Sequence, residues 1–514
     1  MEKIALKTGK AWQNIRDFVK KNPVEFWILL SILAISAFLR LYKIDQYMTF
    51  LGDEGRDVII VRRFLTELHP PLIGPGTSIG NMYLGPLYYY MMALPLLIAN
   101  FSPVGPAVQV AILGVITVFF IWFVGRTWFG KVAGLVAAGL YAISPTAIVF
   151  SRSSWNPNIM PFFALLSVYS IWRVWRRHEA GWLLILGVAF AFVLQSHYLG
   201  LLIAPTLFIF WLLTYRDLKK TSTTKMFENF KKKSLIGLGI FAILMSPLLI
   251  FDIRHGWTNT RAVVAFLVNR NDIGFSLGSY FSKAASVVFM LASNLVSAKN
   301  IYLSVFTLAV FLSVIIWVFV NRKFKNSLGL VLSWLVFGIA GASLLKGSVY
   351  DHYLEFLFPV PFLLIGVVAQ NIRKYKIPFL VFGVYLLSLV IVNLAKSPVL
   401  DSPTSQMQRA ISVARVIQEK SNGERFNLAT ISDLNNRDVY QYFLIIWGAP
   451  VVDTDPSSLQ FTVTDQLFVV CEFPREKCDP VHNPSAWITT FGWTKIVDEW
   501  PVWGGTLFKL GHTK

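Results

Sequence analysis

Two adjacent carboxylates, Asp53 and Glu54, stand in the stretch Phe50-Leu51-Gly52-Asp53-Glu54-Gly55-Arg56-Asp57, about ten residues past the first long apolar run. Residues 1–400 hold only 15 acidic side chains, so a carboxylate pair at the edge of a membrane is costly and calls for a role. A carboxylate in this position can take the proton of a hydroxyl nucleophile. Cations nearby in the same topology, Arg56, Arg152, Lys346 and His352, can neutralise a departing phosphate. Arg suits a bidentate clamp and Lys acts as a point charge. His197, in the corner Gln195-Ser196-His197-Tyr198, and the pair Trp155-Asn156 can face a polar substrate. Each residue also has a plainer reading. Asp53 or Glu54 could cap a helix, and Lys346 and His352 could anchor the chain at the interface.

What must position these residues follows from the apolar pattern. The chain is 514 residues long and 55% hydrophobic, the composition of a polytopic membrane protein. Runs long enough to span fall near 25–42, 106–125, 132–150, 158–174, 181–196, 199–215, 235–251, 301–320, 328–345, 354–370 and 378–395. Runs 84–100 and 281–298 are ambiguous. The first, with Pro86, Pro95 and three consecutive tyrosines, reads as a helix lying at the interface or partly inserted. With eleven spans, every strongly basic connection falls on the side of the N-terminus, including the seven basic residues from Arg216 to Lys233 and the clusters Arg322/Lys323/Lys325 and Arg373/Lys374/Lys376. The positive-inside rule therefore predicts a cytoplasmic N-terminus and an extracytoplasmic C-terminal region, and run 25–42, which lacks a small-residue cleavage site, reads as a retained helix. The division is a basic amphipathic segment 1–24, a membrane domain 25–400 and an external domain 401–514.

Net charge supports this partition and excludes nucleic-acid binding. Residues 1–400 carry 37 Lys+Arg against 15 Asp+Glu, whereas residues 401–514 carry 10 against 13. The basicity belongs to membrane loops, not to a soluble basic face. The candidate residues above all collect on the external side, where no nucleotide-activated donor is available, so a donor must come from within the bilayer. Val58, Val61, Phe64, Leu65 and Leu68 predict a surface helix over 54–68, with Asp53 just before its start and Asp57, Arg62 and Arg63 off the apolar stripe.

A first external loop with Asp-Glu, a surface helix and the segment Gly85-Pro86-Leu87-Tyr88-Tyr89-Tyr90 resembles the GT-C glycosyltransferases of the protein O-mannosyltransferase type, glycosyltransferase family 39, with the lipid A aminoarabinose transferases as relatives. Gly125-Arg126-Thr127-Trp128-Phe129-Gly130-Lys131, Ser144-Pro145 through Ser151-Arg152, and Tyr350-Asp351-His352-Tyr353-Leu354 ahead of Pro359 and Pro361 are similar to further family segments in order and sidedness. The resemblance covers residues 25–400. It implies a polyprenyl-phosphate-linked sugar as donor, an acceptor hydroxyl on a protein, lipid or glycan, and inverting transfer on the outer face of the cell membrane with Asp53 as base and Glu54 beside it. Donor phosphate and sugar contacts then fall to Lys346, His352, Tyr353, Arg152, Arg56, His197, Trp155 and Asn156. His352 stands where relatives carry Arg. The corner Ser151-Arg152-Ser153-Ser154-Trp155-Asn156-Pro157-Asn158 lacks the acidic residue that a divalent metal would need, so no metal ligand is assigned.

A transporter or flippase of lipid-linked glycans is the competing class; it predicts internal repeats and broken midplane helices, and the sequence shows neither. No Gly-x-x-x-x-Gly-Lys-Ser/Thr, His-Glu-x-x-His or Cys-x-x-Cys motif is present. In the C-terminal region, helices over 405–420 and 437–447 and strands over 426–431, 466–472, 494–500 and 506–510 predict a small α/β domain. It contains both cysteines, Cys471 and Cys478, which either form a disulfide or remain two thiols.

Overall fold

A computed structural model describes residues 13, 16–78, 80, 82–221, 223–268, 276–320 and 326–513. Most of segment 1–24, and the basic cluster Arg322/Lys323/Lys325, lie outside the described residues. Each of the eleven predicted spans is helical. Among the described residues, six helices are long and apolar enough to cross a bilayer: Pro23–Leu41, Val104–Phe129, Tyr198–Thr221, Thr224–Arg254, Ile301–Val320 and Lys376–Leu400. A seventh is formed if Asp351–Leu357 and Pro359–Ile372, bent by 51°, count as one span. Pro359 and Pro361 sit in the first turn after this break, where proline is tolerated. The remaining predicted spans correspond to Lys131–Ile143 with Pro145–Phe150, Met160–Arg177, Trp182–Ser196 and Ser327–Ala342. The two ambiguous runs are helices Leu87–Ile98 and Leu277–Met290, the latter continued by a π-helical turn over Leu291–Val296.

The bundle has two chemically distinct ends. At one, Glu25 accepts from Arg126 Nε at 2.6 Å and Trp122 Nε1 at 3.2 Å, and Gln370 accepts from the Val132 amide at 3.1 Å. The Gly125–Lys131 turn is thereby tied to the first helix. At the other end, Asn156 Nδ2 donates to the Ser196 carbonyl at 2.6 Å, and Ser144 Oγ and Thr146 Oγ1 donate to the Leu295 and Asn294 carbonyls at 2.6 and 2.7 Å. Asn294 Nδ2 reaches the Asp351 carboxylate at 3.0 Å. The π turn therefore seats the segment that bears His352.

The C-terminal domain is a four-stranded sheet in the order β1-β2-β4-β3. Its strands are β1 (Asn427–Ile431), β2 (Gln466–Cys471), β3 (Thr494–Val502) and β4 (Gly505–His512). β1 and β2 are parallel, and β4 runs antiparallel to both of its neighbours. Helices Gln406–Lys420 and Asp438–Ile446 cover one face. Cys471 and Cys478 form a disulfide. Tyr440 OH, Asn435 Nδ2 and Arg409 Nη2 all donate to Glu472, which fixes the loop leading into the second of these helices.

This domain rests on the loop that follows the first long helix. Helix Gly52–Glu67 packs against Asp438–Ile446, and two glycines set the approach. A Cβ on Gly55 would lie 2.7 Å from the Val439 nitrogen, and one on Gly52 would lie 2.7 Å from Asn436 Nδ2. One apolar cluster runs continuously from Val58 and Val61 through Tyr88, Tyr89 and Val110 to Met407, Val413, Phe443 and Phe468.

Candidate functional site

Helix Gly52–Glu67 begins at Leu51, whose backbone is extended. Glu54, third in the helix, turns back and accepts the Leu51 amide at 3.0 Å, as in the capping arrangement that closes a first turn. Its carboxyl is buried, and burial pushes it up to about 7. Asp53 is thus inside the first helical turn, two residues further in than the apolar spacing predicts. Its side chain remains 49% exposed. The cap takes Glu54 out of the cavity; Asp53 faces it.

That cavity, about 220 Å³, opens between Asp53, Trp155, Asn156, Pro157, His197, Tyr198, His352 and Tyr353, with residues 75–78 and Leu84 as its remaining wall. Asp53 Oδ2 accepts from Trp155 Nε1 at 3.1 Å, and Asp53 Oδ1 accepts from Arg56 Nη1 at 2.8 Å. The Trp155 ring lies 4.7 Å from His352, centroid to centroid. His197 is 6.2 Å from His352 and 4.9 Å from Tyr353. Burial, reinforced by His352, lowers His197 to about 3, so it is neutral at physiological pH. Its Nδ1 accepts the Leu199 amide at 3.2 Å, which assigns the proton to Nε2 as a donor. The site therefore combines one ionisable acceptor, ring faces and neutral donors, a lining suited to a polyhydroxylated molecule.

Six of the sequence-derived candidates meet here: Asp53, Trp155, Asn156, His197, His352 and Tyr353. Arg56 joins them through Asp53. Arg152 and Lys346 do not. Arg152 is buried against the first helix's exit, donating to the Tyr42 carbonyl at 2.9 Å and lying 4.5 Å from the Tyr47 ring. The guanidinium lies over an aromatic face, which offsets part of the cost of its burial, while its Nε and Nη1 have no hydrogen-bond partner. Lys346 is exposed on the loop after Ser327–Ala342, away from the cavity lining. Lys283 donates to the Leu345 and Gly347 carbonyls on either side of it.

Two features escaped the sequence reading. Residues 74–78 and 82–84 pair as a narrow hairpin, with the Gly74 amide donating to the Leu84 carbonyl and the Leu84 amide to the Pro75 carbonyl, and become a cavity wall. Gly85 lies against Gln195, where a Cβ would meet Oε1 at 2.0 Å. The density of Gly and Pro signalled a turn but not its partner. Asp57, expected on the solvated side of the surface helix, is fully buried under Tyr89, whose hydroxyl donates to Oδ1 at 2.9 Å. Among the described residues no group of three or more His, Cys, Asp or Glu is placed to hold a metal ion.

Comparison with known proteins agrees with this architecture. Residues 84–251 match the family described as dolichyl-phosphate-mannose-protein mannosyltransferase. A Bacillus subtilis (strain 168) protein named "Putative mannosyltransferase YkcB" is 24% identical over 200 residues, 38% of this chain and 27% of that relative. The chain thus spans about a quarter of the length of the curated relative it matches. Among solved structures, ArnT from Cupriavidus metallidurans bound to undecaprenyl phosphate superposes with a TM-score of 0.63 at 12% identity, over 95% of this chain and 98% of ArnT. The oligosaccharyltransferase AglB from Archaeoglobus fulgidus, in complex with an inhibitory peptide and a dolichol-phosphate, gives 0.53 at 13% identity, over 88% and 70%. The fold is that of the GT-C membrane glycosyltransferases, multi-pass and α-helical, with a small mixed sheet at its C-terminal end.

Proposed function

We propose that the protein transfers a sugar from a polyprenyl-phosphate donor to an acceptor hydroxyl at the extracytoplasmic face of the cell membrane. The observation that carries this reading is a half-exposed carboxylate, Asp53, oriented by Trp155 and Arg56 at the mouth of a cavity walled by His197, His352 and Tyr353. Asp53 accepts the acceptor's hydroxyl proton as its oxygen attacks the anomeric carbon from the face opposite the phosphate. The bond from that carbon to the phosphate oxygen breaks, the electron pair leaves with the polyprenyl phosphate, and the configuration inverts. Protonated His197 Nε2, His352 and the Tyr353 hydroxyl supply neutral donors to the phosphate or sugar. Arg56 supplies the positive charge, while Trp155 and Asn156 present a ring face and an amide to the sugar. Glu54 acts by fixing the turn that presents Asp53. Exposed Lys346 meets the phosphate only if its loop closes towards the cavity.

Three observations support this assignment. ArnT and AglB, which share the fold, are seen with undecaprenyl phosphate and a dolichol-phosphate. AglB has also been captured with an acceptor peptide. The Cys471–Cys478 bond sits in the domain assigned outside, where disulfides persist. The test uses the full chain in lipid nanodiscs with polyprenyl-phosphate forms of mannose, glucose, galactose and arabinose. Turnover is read as release of polyprenyl phosphate. Wild type should consume at least one donor, and Asp53→Asn should lose about 100-fold or more in kcat, the scale of general-base catalysis, while still binding it. Equal turnover in Asp53→Asn would overturn the base assignment. Movement of intact donor across the bilayer without cleavage would favour a flippase.

A further inference from the structure

We propose that Asp57 is a positioning residue for the base: it holds Arg56 from behind, so that Arg56 orients Asp53 without neutralising it. The proposal rests on the reading of Asp53 given above. Asp57 is fully buried. Its Oδ1 accepts three hydrogen bonds, from Arg56 Nε at 3.0 Å, Arg56 Nη2 at 2.7 Å and Tyr89 OH at 2.9 Å. The remaining guanidinium nitrogen, Nη1, reaches Asp53 Oδ1 at 2.8 Å. One cation is therefore shared by two carboxylates, one buried and one facing the cavity. The inner carboxylate takes two of the three contacts. A lone Arg56–Asp53 pair would stabilise the ionised form of Asp53 and make it a weaker base; sharing the charge with Asp57 limits that loss.

The surroundings fit this assignment. Asp57 is faced by Arg56, Asp53 and Glu54 on its own helix and by Tyr88 and Tyr89 on helix Leu87–Ile98, while Asp438 of the C-terminal domain faces Arg56. Asp57 Oδ2 has no hydrogen-bond partner, and burial pushes the carboxyl up to about 6. Such a carboxylate is kept ionised near neutral pH chiefly by Arg56. Tyr89 belongs to the triple-tyrosine segment, so the proposal also gives that segment a function: its second ring carries the hydroxyl that orients Asp57.

The experiment measures kcat, KM and their pH profiles for Asp57→Asn and Tyr89→Phe, with whichever of the four donors wild type consumes. Loss of Asp57 leaves Arg56 to Asp53 alone. The acid limb of the kcat profile should then move down by about one pH unit, and kcat at neutral pH should fall about three- to tenfold, since only part of a general base's lost basicity appears in the rate. KM for the donor should change less than about twofold. Tyr89→Phe, which keeps the ring and its packing, should shift the limb in the same direction by less. An unmoved acid limb in both variants, with only a lower unfolding temperature, would overturn the proposal. Full activity of Asp53→Asn would instead remove the base on which it rests, so the two failures are separable.

Discussion

The contact between the first loop and the C-terminal domain makes a quantitative prediction through Gly55. Alanine normally stabilises a helix over glycine by roughly 0.5–1 kcal/mol. At Gly55 the added Cβ would stand 2.7 Å from a backbone nitrogen and 2.9 Å from the Asp438 carbonyl carbon, atoms that cannot rotate aside. Overpacking of this kind costs about 1–3 kcal/mol. The net expectation for Gly55→Ala is a loss of about 0.5–2 kcal/mol at this interface. At about 1.4 kcal/mol per factor of ten, the amides of Asp438–Ile446 should lose about 2- to 30-fold in hydrogen-exchange protection, measured on the full chain in detergent. Gly52→Ala should cost less, because its Cβ would meet the end of the exposed Asn436 side chain. Gly383→Ala, with nothing within 4 Å, should leave these amides unchanged. Protection of 438–446 in Gly55→Ala equal to or above wild type would refute the claim that glycine at this position sets the docking distance.

Further outcomes follow from the site. Trp155→Phe keeps a ring against His352 but removes the donor to Asp53; because that carboxylate is half exposed, the effect on kcat should be about three- to tenfold, read in the same polyprenyl-phosphate assay. His197, lowered to about 3 in the folded chain, binds a proton more readily when unfolded, at about 6.5. Its contribution to stability is therefore complete above pH 6.5 and declines as pH falls towards 3; unfolding temperatures of His197→Gln between pH 7 and 4 should fall less than wild type's. Glu54 carries the opposite sign: raised to about 7, it stabilises fully below its usual 4.5 and that contribution is lost as pH rises from 4.5 to about 7, so Glu54→Gln should flatten the fall of the same curve across that window. A reporter fused after Lys396 should be active only outside the cytoplasm, and activity inside would reverse the assignment of faces.

The helices were readable from the sequence because a bilayer imposes a length and a composition on each span, and the elements of the sheet domain followed from periodicity. Surface helix Gly52–Glu67 was legible for the same reason. The partners of single charged residues were not. Periodicity places Asp57 off the apolar stripe, and it is Tyr89, 32 residues later, that buries it. Arg152 reads as a free cation at a corner, yet the Tyr47 ring captures it. The proline-glycine segment 74–84 advertises a turn, while its place beside Asp53 depends on Gln195 and Asn259, which hold Gly85–Leu87 and the Tyr83 amide from other helices. Pattern fixes which face of an element is apolar; which neighbour meets its polar side chains is a property of the assembled bundle.

The continuous apolar cluster shared by the first loop and the sheet domain has a consequence for biogenesis. Val58 and Val61 emerge from the ribosome before the bundle is made, but Phe443, Phe468 and Leu507, which complete their packing, emerge only after it. The carboxylate at position 53 therefore waits through synthesis and insertion of the whole bundle before its supporting helix is locked. A chain released before residue 401 would carry every span and every cavity residue, and would still leave that helix without the surface it rests on.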